Sequence, residues 1–267
     1  MNEIESNKQA WSKLSEDHYR HYKKALMDGT HQLNHHIVEE LGDISGKSVI
    51  HLQCNTGADT MLLAKKAGHV TGVDFVPENL YYAYRLAEDL ACDNVDFIES
   101  DILSLSDIHH DKYDIVFTSE GVLGWLPDLD VWARTIRGLL KDTGFFYIFD
   151  SHPFFLAFDE CKLDKQIYDI KYPYFGKCPD VDDCIGGYAS ETKKGVNTYF
   201  WMHTLSEIIN ALAGAGLYIE MFNEYTENFW DSGNMKFSEK SGMYEYDYNT
   251  DKYPMSFSLR AGIIPAK

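Results

Sequence analysis

Apolar residues recur along this chain in short runs separated by longer amphipathic stretches. The runs SVIHL (48–52), HVTGVD (69–74), VDFIES (95–100), YDIVFTS (113–119) and FFYIFDS (145–151) have the length and composition of buried strands. Between them, DTMLLAKKAG (59–68), PENLYYAYRLAEDLA (77–91) and DVWARTIRGLLK (130–141) place their apolar residues at helical spacing. Strand–helix alternation at this pitch predicts a parallel sheet covered by helices on both faces. Ahead of it, residues 8–27 carry Trp11, Leu14, His18, Tyr22, Ala25 and Leu26 three and four apart, which predicts one amphipathic helix ending near Gly29, and a second helix is expected over 31–41.

The alternation breaks at Pro153. Residues 153–200 read as an insertion, with a turn at Gly186-Gly187 and strands expected at IYDIKYPYF and VNTYFWM. The pattern then resumes with a helix over 204–217, a strand over 217–225, a polar stretch to residue 252 and a closing strand over 255–264. The expected organisation is a helical cap at 1–46 followed by one α/β domain at 47–267 that contains the insertion.

Composition narrows the partners. Acidic residues number 42 against 24 basic ones, a formal net charge of −18, which repels phosphate backbones and anionic membrane surfaces alike. Nucleic acid and membrane are therefore not expected as partners, and a small neutral or cationic molecule is. No apolar run approaches membrane-spanning length and the N-terminal residues are polar, so the expected location is cytoplasmic, with the five cysteines as reduced thiols. Oligomeric state is not legible. His18, His21, His35 and His36 find no cysteine or carboxylate to complete a metal set, so no metal is expected.

The chemistry concentrates at the strand ends, where doubly wound folds bind their ligands. HLQCNTGAD (51–59) joins the first strand to its helix and has a single glycine, Gly57; a plain structural turn explains it as well as a ligand loop does. Asp74, at the tip of the second strand, suits ribose hydroxyls in either a dinucleotide or an adenosyl ligand, with Phe75 beside it to lie on an adenine. Asp101 and Ile102 follow the third strand, where a carboxylate and the next backbone N–H suit an adenine edge. Ser119, Glu120 and Gly121 end the fourth strand, near the expected reacting centre.

These segments (VIHLQCNTG, VTGVD, IESDI, YDIVFTSEGVLGWL, LLKDTGFFYI and the last helix–strand–strand) resemble class I S-adenosylmethionine-dependent methyltransferases, in a branch acting on small molecules. The resemblance implies a Rossmann-like, seven-stranded, mostly parallel sheet whose last strand is antiparallel and inserts beside the fifth. It also implies S-adenosylmethionine as cofactor: Gln53, Asn55 and Gly57 at its methionine portion, Asp74 and Phe75 at the ribose and adenine, Asp101 and Ile102 at the adenine, Ser119 near the sulfonium. The chain departs from that family's pattern at His51, where an acidic residue is usual, and at Gln53 and Asn55, where glycines are. Should the methyl acceptor need a base, the candidates are His152, His203 and Glu120, each with a structural role as the alternative. Trp125, Tyr199, Phe200 and Trp201 stand as pocket walls or core. Two rival functions stay open: a non-catalytic binding protein of the same fold, and an NAD-dependent dehydrogenase, which Ala58 and the loop spacing do not exclude.

Overall fold

The computed structural model describes residues 2–187 and 189–263. A seven-stranded sheet forms its centre. It is built from β1 (Ser48–Leu52), β2 (His69–Asp74), β3 (Val95–Glu99), β4 (Tyr113–Ser119) and β5 (Leu140–Ser151), joined by β8 (Leu217–Tyr225) and β11 (Ser256–Ile263). The order is β3-β2-β1-β4-β5-β11-β8. The first five strands are parallel, and β11 runs antiparallel between β5 and β8. The order reverses between β1 and β4, which opens a crevice at their carboxyl ends.

Both faces of the sheet are apolar because its strands are buried on both sides. Ile50, Leu52, Val116, Phe146, Ile148 and Leu259 pack on one face, against α6 (Leu129–Leu139) and α9 (Leu205–Gly214). The intervening residues Val49, Ile115, Phe117, Tyr147 and Phe149 face the other side, with Leu63 of α4 (Ala58–Ala64) and Ile37 of α3 (His35–Leu41). Next to them, α5 (Pro77–Asp89) packs its Leu80, Ala83 and Leu86 against Met61 of α4 and Phe97 of β3. β5 starts earlier than its apolar run. Its Lys141–Gly144 stretch crosses so close to β4 that a Cβ on Gly144 would lie 2.8 Å from the Tyr113 carbonyl oxygen.

The cap differs from expectation in two respects: the second helix, expected over 31–41, begins at His35, and the first is divided. Residues 8–27 are not one helix: α1 (Glu3–Ser12) and α2 (Ser15–Asp28) are separated at Lys13-Leu14. Ser15 opens α2 just after the break, and its hydroxyl reaches Asn79 Oδ1 on α5 at 2.6 Å. α2 ends at Gly29 with φ 74°, as its sequence suggests.

The insertion opens with two short helices, α7 (Pro153–Leu156) and α8 (Glu160–Leu163). Its strands are β6 (Asp180–Gly187) and β7 (Ser190–Phe200), an antiparallel pair separate from the main sheet. IYDIKYPYF is not a strand; only Ile170 makes an isolated bridge, to Phe158. A second small pair, β9 (Lys236–Ser238) and β10 (Met243–Glu245), occupies the polar stretch before β11. Residue 264, placed in the last strand by the sequence pattern, lies outside the described residues. Among those residues no helix is long and apolar enough to cross a membrane.

Cap and insertion meet. Asn7 of α1, buried, donates from Nδ2 to the Tyr199 carbonyl and accepts from the Tyr199 N–H, both at 2.8 Å. Ser6 Oγ donates to the Asn197 carbonyl at 2.6 Å. One amide side chain thus completes both backbone groups of a β7 residue, as a neighbouring strand would. Asn7→Ala leaves that donor and acceptor without partners, and we expect a loss of about 2 kcal/mol in urea unfolding. Faster hydrogen exchange at the Tyr199 amide would localise the effect to this joint.

Candidate active site

The loop after β1 turns through three residues with left-handed backbones: Gln53 (φ 56°), Asn55 (φ 51°) and Gly57 (φ 80°). A left-handed backbone costs about 1–2 kcal/mol outside glycine, so something must hold Gln53 and Asn55 there. Gln53 Nε2 donates to the Val122 carbonyl at 3.1 Å, and the Asn55 N–H donates to Asp74 Oδ2 at 2.9 Å. Gly57 serves packing: a Cβ there would lie 3.2 Å from Ala83 and 3.4 Å from Phe97. Gly57 is not among the residues lining the crevice, although its neighbours Thr56 and Ala58 are.

Asp74 is buried at the tip of β2. Besides the Asn55 N–H it accepts from the Val76 N–H at 2.9 Å and Asn79 Nδ2 at 3.1 Å. Burial pushes its carboxyl up, and these donors oppose the shift. Asp101 follows β3, accepts the Leu103 N–H at 2.9 Å and starts the short 3-10 turn Ile102–Asp107.

The opposite wall comes from the ends of β4 and β5. Asp150, buried in β5, accepts from the backbone N–H groups of Gly121 (2.7 Å), Val122 (3.2 Å) and Leu123 (3.1 Å). This ties down the turn after β4 and leaves Glu120 with φ 52°. Glu120 Oε1 accepts from Asn34 Nδ2 at 3.0 Å, while Asn34 Oδ1 caps α3 through the Ile37 N–H. Burial, with the Asp59 charge next in importance, pushes the Glu120 carboxyl up to about 8. Asp59 itself stays charged. Burial opposes its ionisation, but His31, at 2.8 Å from Oδ1, and the Ser119 hydroxyl, at 3.0 Å from Oδ2, hold it below the usual carboxylate range. His51 completes the group. Its Nδ1 lies 2.9 Å from Thr60 Oγ1, its Nε2 lies 3.5 Å from Ser119 Oγ, and burial pushes it down to about 4, so it is neutral.

These walls enclose one cleft of about 1040 Å³, a figure that includes its open mouth. Gln53, Asn55, Asp74, Phe75, Asp101, Ile102, Ser119 and Glu120 all line it. The cap contributes Ile4, Trp11 and Tyr22, and the turn after β4 adds Trp125, Leu126 and Pro127. Trp11 and Trp125 meet edge to face at 5.1 Å, which closes the cap over the cleft. No lysine or arginine is among the lining residues described.

Two nominated histidines lie elsewhere. His152 accepts the Phe154 N–H on Nδ1, capping α7, and its Nε2 faces Glu224 Oε1 at 2.9 Å. His203 Nε2 bonds the Leu126 carbonyl at 2.7 Å. Neither is among the cleft-lining residues. Tyr199, Phe200 and Trp201 are likewise absent from that lining; Phe200 packs so tightly on Gly124 that a Cβ there would be 2.0 Å from its ring. Conversely, sequence reading passed over Asp59, His31, Asn34 and Asp150. Only Asp59 carried a local signal, as an acidic residue in the first turn of the helix after the ligand loop. Among the described residues no group of three or more metal-ligating side chains occurs.

Residues 43–186 match the protein family described as "Methyltransferase domain". Demethylmenaquinone methyltransferase of Lactococcus lactis subsp. lactis is 26% identical over 148 residues, covering 52% of this chain and 56% of that protein. Ubiquinone biosynthesis O-methyltransferase of Actinobacillus pleuropneumoniae is 27% identical over 113 residues, 41% of this chain and 47% of its own length. The chain thus spans about half the length of these curated relatives. Among solved structures, a putative S-adenosylmethionine-dependent methyltransferase from Listeria monocytogenes superposes with a TM-score of 0.56 at 19% identity, over 85% of this chain and 95% of that one. The DhpI-SAH complex superposes with a TM-score of 0.60 at 15% identity, over 99% and 98%. At such identities the likeness is one of fold.

The state of Glu120 has a measurable consequence. Its folded-state value of about 8 exceeds the ordinary 4.5, so across that window the folded chain keeps a proton that the unfolded chain releases. Stability from this group is therefore full below the lower value and falls as pH rises toward the upper one. Glu120→Gln removes the dependence. We expect it to match the wild type near pH 4 and to exceed it at about pH 8 by about 4 kcal/mol, the value of that shift integrated over the window, measured by urea unfolding at both pH values.

Proposed function

The chain belongs to the Methyltransferase domain family, and on that footing we propose that it binds S-adenosylmethionine in the strand-tip cleft and methylates a small molecule. One observation carries the reading: the loop after β1, Asp74 at the end of β2 and Asp101 after β3 line a single cleft, bounded across the sheet by the β4 turn. The cleft wall also fits a ligand rich in hydrogen-bonding groups. Gln53 Oε1 and Thr56 Oγ1 are buried there without a partner among the described residues, and such atoms are costly unless a ligand or water completes them.

In this reading Asp101 and the Ile102 N–H meet the adenine edge, and Phe75 covers a ring face. Asp74 takes the ribose with the acceptor capacity its three protein donors leave. Gln53 and Asn55 hold the amino-acid portion, with Ser119 near the sulfur. When bound, the cofactor supplies a methyl group already attached to a good leaving group. What the chain adds is alignment and exclusion of water, and Trp11, Tyr22 and Trp125 suit that task as a lid. Glu120 is the residue placed to take a proton from an acceptor, because a base with a value near neutrality balances availability against strength.

A net charge of −18 and a cleft without described cationic side chains favour a neutral or positively charged acceptor over nucleic acid or an anionic membrane. All five cysteines are free thiols, which supports a cytoplasmic setting.

Calorimetry tests the reading directly. S-Adenosylmethionine and S-adenosylhomocysteine are expected to bind and NAD is not. Asp74→Asn should weaken both adenosyl ligands by about 10-fold, the value of one hydrogen bond to a charged group. Unchanged affinity in that variant would remove the basis of the proposal. Glu120→Gln should slow turnover of any acceptor found in a panel of amines, phenols and acids by at least about 100-fold, with cofactor affinity kept.

A further inference from the structure

The amino-acid portion of an adenosyl cofactor carries an ammonium, and an ammonium taken out of water needs a negative or strongly accepting partner. Four carboxylates line the cleft, and their existing bonds make them unequal. Asp74 already accepts three donors at the tip of β2. Asp101 lies a strand further out and begins its 3-10 turn. Glu120 shares its site with Asp59 and Asp150 and is driven toward its uncharged form.

Asp59 differs from all three. Each of its oxygens accepts a single donor, His31 on Oδ1 and Ser119 on Oδ2. A carboxylate has about four lone-pair sites, so half of its accepting capacity remains, on a residue that lines the cleft. Behind it runs an ordered polar chain. The Thr60 hydroxyl faces His51 Nδ1 at 2.9 Å, and His51 Nε2 faces Ser119 at 3.5 Å. Ser119 spends its only proton on Asp59. His51, near the end of β1, lies beside this space and brings no charge to it, so the negative partner comes from the helix that follows.

We infer that Asp59, braced by His31 and Ser119, receives the α-ammonium of the cofactor's amino-acid portion; this rests on the adenosyl reading of the cleft. His31 is then a positioning residue. It belongs to the segment between α2 and α3, and its ring lies 4.8 Å from that of Tyr22, so the cap and the ammonium site are mechanically joined.

Two nucleosides separate this assignment from a general loss of structure. S-Adenosylhomocysteine has the ammonium; methylthioadenosine has the adenosyl group and the sulfur without the amino-acid tail. In Asp59→Asn, calorimetry should show S-adenosylhomocysteine weakened by about 30-fold, the loss expected for one charge-assisted hydrogen bond. Methylthioadenosine should bind that variant within about twofold of wild type, which also reports an intact fold. His31→Gln should give a smaller loss of about threefold for S-adenosylhomocysteine alone. Equal losses for both nucleosides in Asp59→Asn, or no loss for either, would overturn the assignment. Wild-type protein that bound neither nucleoside would overturn the adenosyl reading first, and this assignment with it.

Discussion

Two buried carboxylates, Asp74 and Asp150, organise the functional end of the sheet. Where strands stop, backbone N–H groups lose their ladder partners, and a buried donor without a partner costs about 1–3 kcal/mol. Asp74 takes the N–H groups of Asn55 and Val76, and Asp150 those of Gly121, Val122 and Leu123. Each therefore fixes one wall of the cleft, on either side of the point where the strand order reverses. The left-handed backbones at Asn55 and Glu120 are local consequences of these anchors. Remove either carboxylate and the loop it organises loses most of its backbone partners, with the Gln53–Val122 and Asn34–Glu120 bonds left to hold it.

The second layer of the site comes from outside the α/β core. α1 is bound to β7 through Asn7 and Ser6, and α2 is bound to α5 through Ser15 and Asn79. Asn79 is also a donor to Asp74, so a single asparagine links the cap to the strand-tip carboxylate. Asn34 repeats the device on the far wall, capping α3 with its oxygen and reaching Glu120 with its nitrogen. Cap, insertion and core are joined by side-chain amides, which offer a donor and an acceptor together. The edge-to-face contact between Trp11 and Trp125 adds closure, with the orientation that ring quadrupoles prefer.

This division explains what could be read from the chain beforehand. The sheet was legible because buried parallel strands leave continuous apolar runs, and the cleft-lining positions Asp74, Asp101 and Ser119 sit where those runs end. β6 was not legible: DVDDCIGG pairs with β7 as a largely exposed hairpin, so no buried face imposes alternation on it. IYDIKYPYF misled for the opposite reason, since its apolar residues stay exposed at Ile167 and Ile170 rather than entering a sheet. The break at Lys13-Leu14 escaped because a one-step change in helix direction leaves the three-and-four spacing almost intact. Position alone nominated His152 and His203, and position does not reveal which way a ring turns. Asp59 carried only the weak signal of an acidic first helical turn, and the bonds that bring Asp59, His31, Asn34 and Asp150 to the cleft join residues far apart in sequence, which no local pattern encodes.

Charge coupling between the two walls then decides how the site would respond to a cation. Asp59 and Glu120 raise the cost of ionising one another, and the structure resolves the conflict by giving Asp59 its donors, His31 and Ser119, and leaving Glu120 with one neutral amide. Two such groups titrate as a pair. A positive charge held at Asp59 offsets the repulsion that Glu120 feels, and so lowers the value at which Glu120 releases its proton. The same charge does little for Asp150, whose carboxylate is already enclosed by backbone N–H groups. On the proposed reading, occupation of the Asp59 site would therefore move Glu120 toward its charged form, the form in which it can take a proton from an acceptor.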